Sequence, residues 1–262
     1  MKTRQALAYG VAPRPNRLLV DAVGGALARF STMARVVHVA HRFPLRVSPH
    51  QDPSAYLLSP VNLLTRHTDS IRRLRAQVQR LLGDSGVVLM VSPRHAEGRS
   101  IAALSLGLAF AQIVQKGARV VYVETDFRRP ALHTFFDIPA GVGVADLLGD
   151  RLPMSDLGAC LLPTDAPGLY LLPAGARSDP PEQLGSPLLP AFLARLRTEG
   201  EWIIMDSPPL LSYSDALPLL GLVDGVVIVT LEGRTRDDDL AELSARLALA
   251  KARVVGRLSV EP

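Results

Sequence analysis

The chain has 262 residues and is 48% apolar, enough for one large α/β domain or for a domain with an extension. Its single cysteine, Cys160, excludes an intramolecular disulfide, and the N-terminus lacks the basic start and apolar middle of a secretory signal peptide. The apolar runs, such as residues 101–114, are shorter than a bilayer span. These features predict a cytoplasmic protein that does not cross a membrane unaided.

Positive charge is concentrated at the beginning of the chain. Residues 1–84 hold 13 Lys and Arg against 4 Asp and Glu, whereas residues 85–262 hold 16 against 21. Arginine supplies 26 of the 29 cations, which is also typical of a GC-rich genome. A basic segment can bind anionic lipid head groups or an acidic partner, which would place the protein peripherally at a membrane. Aromatic residues for base stacking are sparse there, which argues against nucleic-acid binding.

The chain divides into an irregular, basic extension at residues 1–60 and one domain at residues 61–262. Apolar residues between 62 and 82 recur at mostly three- and four-residue steps, which predicts an amphipathic helix within residues 61–84. Residues 85–262 then alternate apolar strands with helical patterns. We expect strands at 87–91, 119–123, 169–172, 202–205 and 225–230, and helices at 100–115, 187–197, 214–222 and 236–251. This alternation predicts a three-layer αβα sandwich around a mostly parallel sheet.

Three predicted strands run directly into charged or hydroxylated loops, which should meet in one crevice because ligands collect at the carboxyl ends of parallel strands. The first loop, "SPRHAEGRS", opens a helix, so it offers backbone N–H groups to an anion and the Ser100 hydroxyl to Mg²⁺. The second, "ETDFRRP", brings in Glu124 and Asp126, which are suited to holding Mg²⁺ or accepting a hydroxyl proton. The third begins with Asp206, as a Walker B acid does. The ordered triple predicts a fold derived from the P-loop NTPases.

These motifs resemble those of the bacterial tyrosine kinases (BY-kinases) of capsule and exopolysaccharide assembly, which are P-loop ATPases with deviant Walker motifs. "SPRHAEGRS" resembles the family's S-x-x-P-G-E-G-K-S, "VVYVETDFRRPALHTFF" its Walker A′ motif, and "WIIMDSPPLL" its Walker B segment. "GVGVADLLGD" and "LYLLPAGARSDPPEQLGSP" are similar to two further family stretches. The resemblance covers residues 68–258.

The resemblance implies roles for individual residues. The phosphates of ATP or ADP would be wrapped by Ala96, Glu97, Gly98, Arg99, Ser100 and Ile101. Mg²⁺ would be held through Ser100, Asp126 and Asp206, and the catalytic positions would be Arg99, Glu124, Asp126 and Asp206. Subunit contacts in a homo-oligomer would involve Asp69, Arg72 and Arg75, a variant of the family's E-x-x-R-x-x-R helix, together with Arg128 and Arg129. The expected partner is a membrane-embedded polysaccharide chain-length or export protein that activates the kinase from the membrane.

The sequence also departs from the family pattern. Arg99 replaces the P-loop lysine, although a broad guanidinium substitutes poorly for a compact ammonium. Ala96 replaces a loop glycine, Glu124 replaces the first aspartate of the A′ motif, and His95 replaces a proline. No tyrosine follows Tyr213, where the family has a tyrosine-rich tail. These changes predict a nucleotide-binding protein with weak or no phosphoryl transfer.

Other interpretations of the same residues stay open. Arg99, Glu124 and Asp126 could be an inherited scaffold, paired with one another across an empty crevice, since fold alone does not establish function. An active tyrosine autokinase would require a phosphorylatable tyrosine cluster. A MinD/ParA-like positioning ATPase would require a second lysine near the start of the loop, where Ser92 and Pro93 stand.

Overall fold

The computed structural model describes residues 68–136, 138, 141–175 and 184–261. The predicted extension at residues 1–60 and the first residues of the predicted helix, 61–67, lie outside this part of the chain. Helix α1 spans Thr68–Leu82 and packs Ile71, Leu74 and Val78 into the protein. Its three- and four-residue apolar spacing therefore marks the face that is buried.

A seven-stranded sheet forms the centre of the described domain, in the order β3-β4-β2-β5-β1-β6-β7. Every neighbouring pair is parallel except β3 and β4, which are antiparallel. The strands are β1 Gly86–Val91, β2 Val120–Glu124, β3 Leu162–Pro163, β4 Leu169–Leu172, β5 Trp202–Asp206, β6 Gly225–Leu231 and β7 Val254–Val260.

Helices cover both faces of the sheet, so the described domain has the predicted three layers. Val88 and Met90 of β1 belong to the apolar core beneath α1 and α2, whereas Val87, Leu89 and Val91 belong to the core on the opposite face. This alternation follows from the two-residue period of a strand. After α1, the helices are α2 Arg99–Ala111, α3 Leu132–Phe135, α4 Val144–Leu148, α5 Leu189–Glu199, α6 Leu217–Leu220 and α7 Asp237–Leu249, with a 3₁₀ helix at Met154–Cys160.

The predicted fold class is confirmed, with local differences. The sequence reading missed β7, because its "VVGRLSV" alternates buried and exposed residues at the edge of the sheet and carries Arg257 and Ser259. The predicted helix at 214–222 shrinks to the four residues of α6, and α2 ends at Ala111 rather than at residue 115. Within the described ranges, no helix combines the length and the apolar character needed to span a bilayer.

The register of the sheet places three chain segments side by side. Met90 of β1 and Glu124 of β2 are both aligned with Asp206 of β5, so the carboxyl ends of these adjacent strands are level. The loop after β1 leads directly into α2. The three loops that the sequence singled out therefore meet at one edge, as the topology of parallel sheets requires.

Candidate functional site

The loop between β1 and α2 is anchored from two sides. Glu97 is buried, and its carboxylate accepts a 2.7 Å hydrogen bond from the Arg94 backbone N–H and another, also 2.7 Å, from the Thr235 hydroxyl. The Arg94 guanidinium donates to Asp239 in α7 through both Nε and Nη2. These contacts fix the loop against the segment that follows β6.

Two residues on either side of Glu97 have the left-handed backbone conformation that glycine favours. Gly98, at the N-cap of α2, has φ +77°, and Ala96 has φ +59°. Glycine adopts these angles without a penalty, whereas the Cβ of Ala96 makes the left-handed conformation cost about 1–2 kcal/mol. Ala96, which replaces a loop glycine of the family pattern, therefore has a strained backbone.

The side chain of Arg99, the first residue of α2, turns inward and is only 8% exposed. Its Nε donates to Asp206 Oδ1 at 2.7 Å, its Nη2 to Asp126 Oδ2 at 2.9 Å, and its Nη1 to the Ser92 hydroxyl at 3.1 Å. Burial alone would lower the pKa of this guanidinium, but the two carboxylates outweigh burial and raise it. Arg99 is thus a permanently charged group that binds inside the crevice.

Both oxygens of each aspartate are engaged by contacts within the chain. The second oxygen of Asp206 accepts a 3.0 Å hydrogen bond from the Tyr122 hydroxyl, and the second oxygen of Asp126 accepts one of 3.1 Å from the Arg129 backbone N–H. Together with the Arg99 contacts, all four carboxylate oxygens of this pair already accept a hydrogen bond from the protein. Burial raises the pKa of Asp126, while the Arg99 charge opposes that shift.

Glu124 lies at the end of β2 but is not directed at an open crevice. It is fully buried, and its carboxylate accepts hydrogen bonds from the backbone N–H groups of Leu132 at 2.7 Å and Ala174 at 3.1 Å, as well as from Ala131. Burial raises the pKa of Glu124 to about 7, against the lowering effect of these donors. The side chain thus fastens the start of α3 and the end of β4 to β2.

The residues present do not fit Mg²⁺ while Arg99 holds this position. Mg²⁺ requires a near-octahedral set of oxygen ligands, commonly one or two carboxylates plus water and phosphate. Asp126 and Asp206 would have to exchange existing hydrogen bonds, and Arg99 would lose its counter-ions. Ser100, the second residue of α2, is partly exposed. In the part of the chain that the structure describes, no group of three or more His, Cys, Asp and Glu side chains could hold a metal.

The loop after β2 contacts the loop after β5 through side chains. Arg128 forms a two-pronged ion pair with Asp215, with a shorter distance of 2.6 Å, and its guanidinium lies 4.3 Å from the centre of the Tyr213 ring. Tyr213 in turn packs edge-on against His95 of the P-loop. Arg129 is exposed. Arg128 therefore has partners within its own subunit, whereas the Arg129 side chain faces solvent.

The three residues predicted to mediate oligomerisation through α1 differ in their exposure. Asp69 and Arg72 are exposed on α1. Arg75 is half-buried, and its Nη1 donates to the Ala109 carbonyl near the end of α2 at 3.2 Å. Arg75 therefore binds α2 of its own subunit, while Asp69 and Arg72 are accessible to another molecule.

Sequence reasoning missed Ser92, Tyr122 and the Arg129 backbone N–H as partners of the site. Tyr122 left a signal, because it is the one residue with a hydroxyl in the strand "VVYVE". A buried tyrosine hydroxyl needs a hydrogen-bonding partner, and a level neighbouring strand ending in Asp206 supplies it. The backbone N–H left no such signal, since every residue except proline carries one.

A mostly parallel sheet of this order, with a loop and helix start after β1 and acids at the ends of β2 and β5, is a P-loop NTPase-like fold. The kinase domain of VpsO shares the fold, with a TM-score of 0.64 and 30% identity over 74% of this chain and 95% of that domain. No family model matches the chain.

Curated proteins give the same result at the level of sequence. The chain is 28% identical over 172 residues to the tyrosine-protein kinase YwqD of Bacillus subtilis, covering 65% of this chain and 70% of YwqD. It is 29% identical over 192 residues to the putative tyrosine-protein kinase EpsB of Ralstonia nicotianae. That match covers 72% of this chain but only 25% of the much longer EpsB. The chain belongs to the bacterial tyrosine kinase family.

Proposed function

We propose that this chain is a nucleotide-responsive subunit of a capsular or exopolysaccharide assembly or export complex, with weak or no phosphoryl transfer. The observation that carries the proposal is the inward position of Arg99, whose guanidinium contacts Asp126 and Asp206. A residue at this position of a P-loop normally reaches the terminal phosphates as a lysine. Here its charge is committed to the acids of the site.

The loss of transfer follows from what the reaction requires. Phosphoryl transfer depends on a cation at the terminal phosphate, on a metal ion and on a carboxylate near the acceptor hydroxyl. Arg99 is held by two aspartates, and each oxygen of these aspartates already accepts a hydrogen bond from the chain. Glu124 is buried and accepts three backbone hydrogen bonds. Each of these requirements is altered in this chain.

The retained loop geometry supports binding. Gly98 keeps the left-handed conformation at the start of α2, and neither a side-chain cap nor an acidic residue occupies the first turn of that helix. The free N–H groups and the helix dipole therefore favour an anion at this position. We expect ADP to bind better than ATP, because the missing lysine mainly serves the terminal phosphate.

Cellular role and assembly are proposed from the family alone. We expect a cytoplasmic protein, peripheral at the inner face of the plasma membrane, that self-associates and works with a membrane-embedded polysaccharide chain-length or export protein. Exposed Asp69, Arg72 and Arg129 are available for contacts between copies. The basic N-terminal region would add electrostatic attraction to an anionic surface.

Calorimetric titration tests the proposal. We expect ADP to bind the full chain with a Kd in roughly the micromolar-to-millimolar range, and ATP to bind more weakly. Gly98→Asp should abolish binding, because it adds a negative charge next to the first N–H groups of α2 and because a side chain at φ +77°, with its Cβ 3.2 Å from Val260, distorts the loop. Arg119→Lys, just before β2 and therefore at the opposite edge of the sheet from the loop, should bind ADP as the parent does. Absence of heat with both nucleotides would leave only the inherited-scaffold interpretation.

A further inference from the structure

We infer that the P-loop of this protein takes a nucleoside diphosphate without a divalent cation, with Arg99 serving as the built-in counter-ion of Asp126 and Asp206. The inference rests on the proposed function, since it requires that the loop bind nucleotide. It assigns to the site a ligand class, the metal-free diphosphate, that differs from the magnesium complex expected from the sequence.

The chain itself already engages every carboxylate oxygen of the two acids. Asp126 accepts hydrogen bonds from Arg99 and the Arg129 backbone, and Asp206 accepts them from Arg99 and Tyr122. A magnesium ion or its water shell would compete for the same oxygens. Since Mg²⁺ loses its water reluctantly and tolerates little distortion, it gains little from carboxylates whose charge and geometry are already committed.

The buried charge of Arg99 also opposes a metal ion at the aspartates. Arg99 is buried, and the acceptors of its three nitrogens are Ser92, Asp126 and Asp206. A divalent cation between the aspartates would displace the guanidinium and leave a second buried cation next to the first. An arginine cannot escape this by losing its proton. The guanidinium and a metal ion therefore exclude each other at the aspartates.

Backbone N–H groups at the start of α2 can bind the diphosphate without a metal ion. The first N–H groups of α2 lack partners within the helix, and the loop before it is already anchored through Glu97 and Arg94. A phosphate at this helix start is stabilised by backbone dipoles, which require no metal. Because Asp126 and Asp206 stay paired with Arg99, they repel the diphosphate less than free carboxylates would.

Two titrations on the full chain test the inference. In the first, ADP is titrated once with Mg²⁺ and once with EDTA, and we expect Kd values that agree within about twofold. In the second, Mn²⁺ alone is titrated and followed by electron paramagnetic resonance, and the parent chain should bind none at the site. Arg99→Ala should gain a Mn²⁺ site that Asp126→Asn in the same background removes. Arg119→Lys, the matched arginine control at the opposite edge of the sheet, should behave as the parent in both titrations.

The outcomes separate this inference from the proposed function. Binding of ADP only in the presence of Mg²⁺, or a Mn²⁺ site in the parent chain, overturns the inference and leaves the proposed function intact. Failure of ADP to bind in either buffer overturns both. If Arg99→Ala does not fold, Arg99→Lys is the second variant. Its compact ammonium cannot reproduce the planar fork, so its ADP affinity should become dependent on Mg²⁺ by at least about fivefold.

Discussion

Arg99 and Asp206 form a 2.7 Å ion pair in the interior of the crevice, where Arg99 is 8% exposed and Asp206 is fully buried. In the family pattern these two positions are a phosphate-binding lysine and a metal-orienting acid. In this chain they bind each other. The guanidinium of Arg99 and the carboxylate of Asp206, which the family pattern assigns to ligand binding, therefore form a buried ion pair. This pair should affect the stability of the protein as well as its phosphoryl transfer.

Removing one partner of this pair should destabilise the protein strongly. We expect Asp206→Ala to lower the free energy of unfolding by about 3–5 kcal/mol, because it leaves Arg99 buried with less compensation. Disrupting the exposed ion pair between Arg246 and Glu242 of α7 with Glu242→Ala should cost less than about 1 kcal/mol. Urea unfolding measures both, and equal losses in the two variants would contradict the view that the buried contact is structural.

Strain in the P-loop gives a second prediction. Ala96 has φ +59°, so Ala96→Gly should remove the free-energy penalty of the left-handed conformation. Glycine also gives the unfolded chain more freedom, which opposes this gain, and we expect the relief of strain to be larger by about 1 kcal/mol. Lys251→Gly is a matched control, since Lys251 also has a positive φ but lies far from the site in sequence. We expect both variants to be more stable, and only Ala96→Gly to change nucleotide affinity. A destabilised Ala96→Gly variant would refute the strain.

Glu124 should make stability depend on pH. Its pKa is raised from 4.5 to about 7 by burial, so the folded protein holds a proton that the unfolded chain releases. The stabilisation of the folded state that follows from this proton is complete below pH 4.5 and is lost as the pH rises through about 7. The free energy of unfolding should fall by about 3 kcal/mol over this range. Burial of His95 lowers its pKa to about 4, which acts in the opposite direction over a similar range.

Comparison with Glu124→Gln isolates the glutamate, since His95 is common to both proteins. The stability advantage of the parent over the variant should shrink between pH 4.5 and 7, measured by urea unfolding at each pH. A constant difference across this range would show that Glu124 stays ionised in the folded state, held so by its three backbone donors.

Helix α1 separates assembly from folding. Arg72 is exposed, whereas Arg75 donates to the Ala109 carbonyl, so Arg72→Ala should weaken self-association without affecting stability. Arg75→Ala should also lower the free energy of unfolding by about 1 kcal/mol, because it removes a hydrogen bond. The double variant should be monomeric by light scattering. If the parent chain is itself monomeric at high concentration, the family's oligomerisation helix does not operate here.

Much of this architecture could be predicted from the sequence, because the signals are strong and local. Buried parallel strands read as continuous apolar runs, and the acids that end β2 and β5 therefore stand out after "VVYV" and "WIIM". The strained loop could also be anticipated, since Ala96 replaces a glycine. The orientation of Arg99 could be listed only as an alternative, because a residue at the start of a helix can reach either a ligand or the interior.

The hydrogen-bond partners of Glu124 could not be predicted from the sequence. Its position after a strand suggested a catalytic carboxylate, but its hydrogen bonds go to the backbone of Leu132 and Ala174, which are 8 and 50 residues away. Such partners depend on how distant loops pack, and backbone donors leave no trace in the identity of a residue. Edge strand β7 was missed for a related reason, since half of its side chains face solvent.

Restoring the family residues should recover part of the chemistry. Arg99→Lys and Ala96→Gly, combined in one variant, should raise ATP turnover by at least about tenfold, because both alter a positioning or electrostatic element of the P-loop. Glu124 is left unchanged, since it binds the backbone of three residues outside the crevice. An unresponsive double variant would mean that the crevice lost activity for other reasons. Arg119→Lys, at the opposite edge of the sheet, is again the neutral control.

Incubation of the unmodified chain with radiolabelled ATP and Mg²⁺ tests the central claim most directly. With Arg99 bound to Asp126 and Asp206, we expect no detectable phosphotyrosine and ATP hydrolysis close to the buffer background, under conditions in which ADP binding is measurable by calorimetry. Robust incorporation of label into tyrosine would contradict this account, since it would require the guanidinium to leave both carboxylates and the site to assemble in another arrangement.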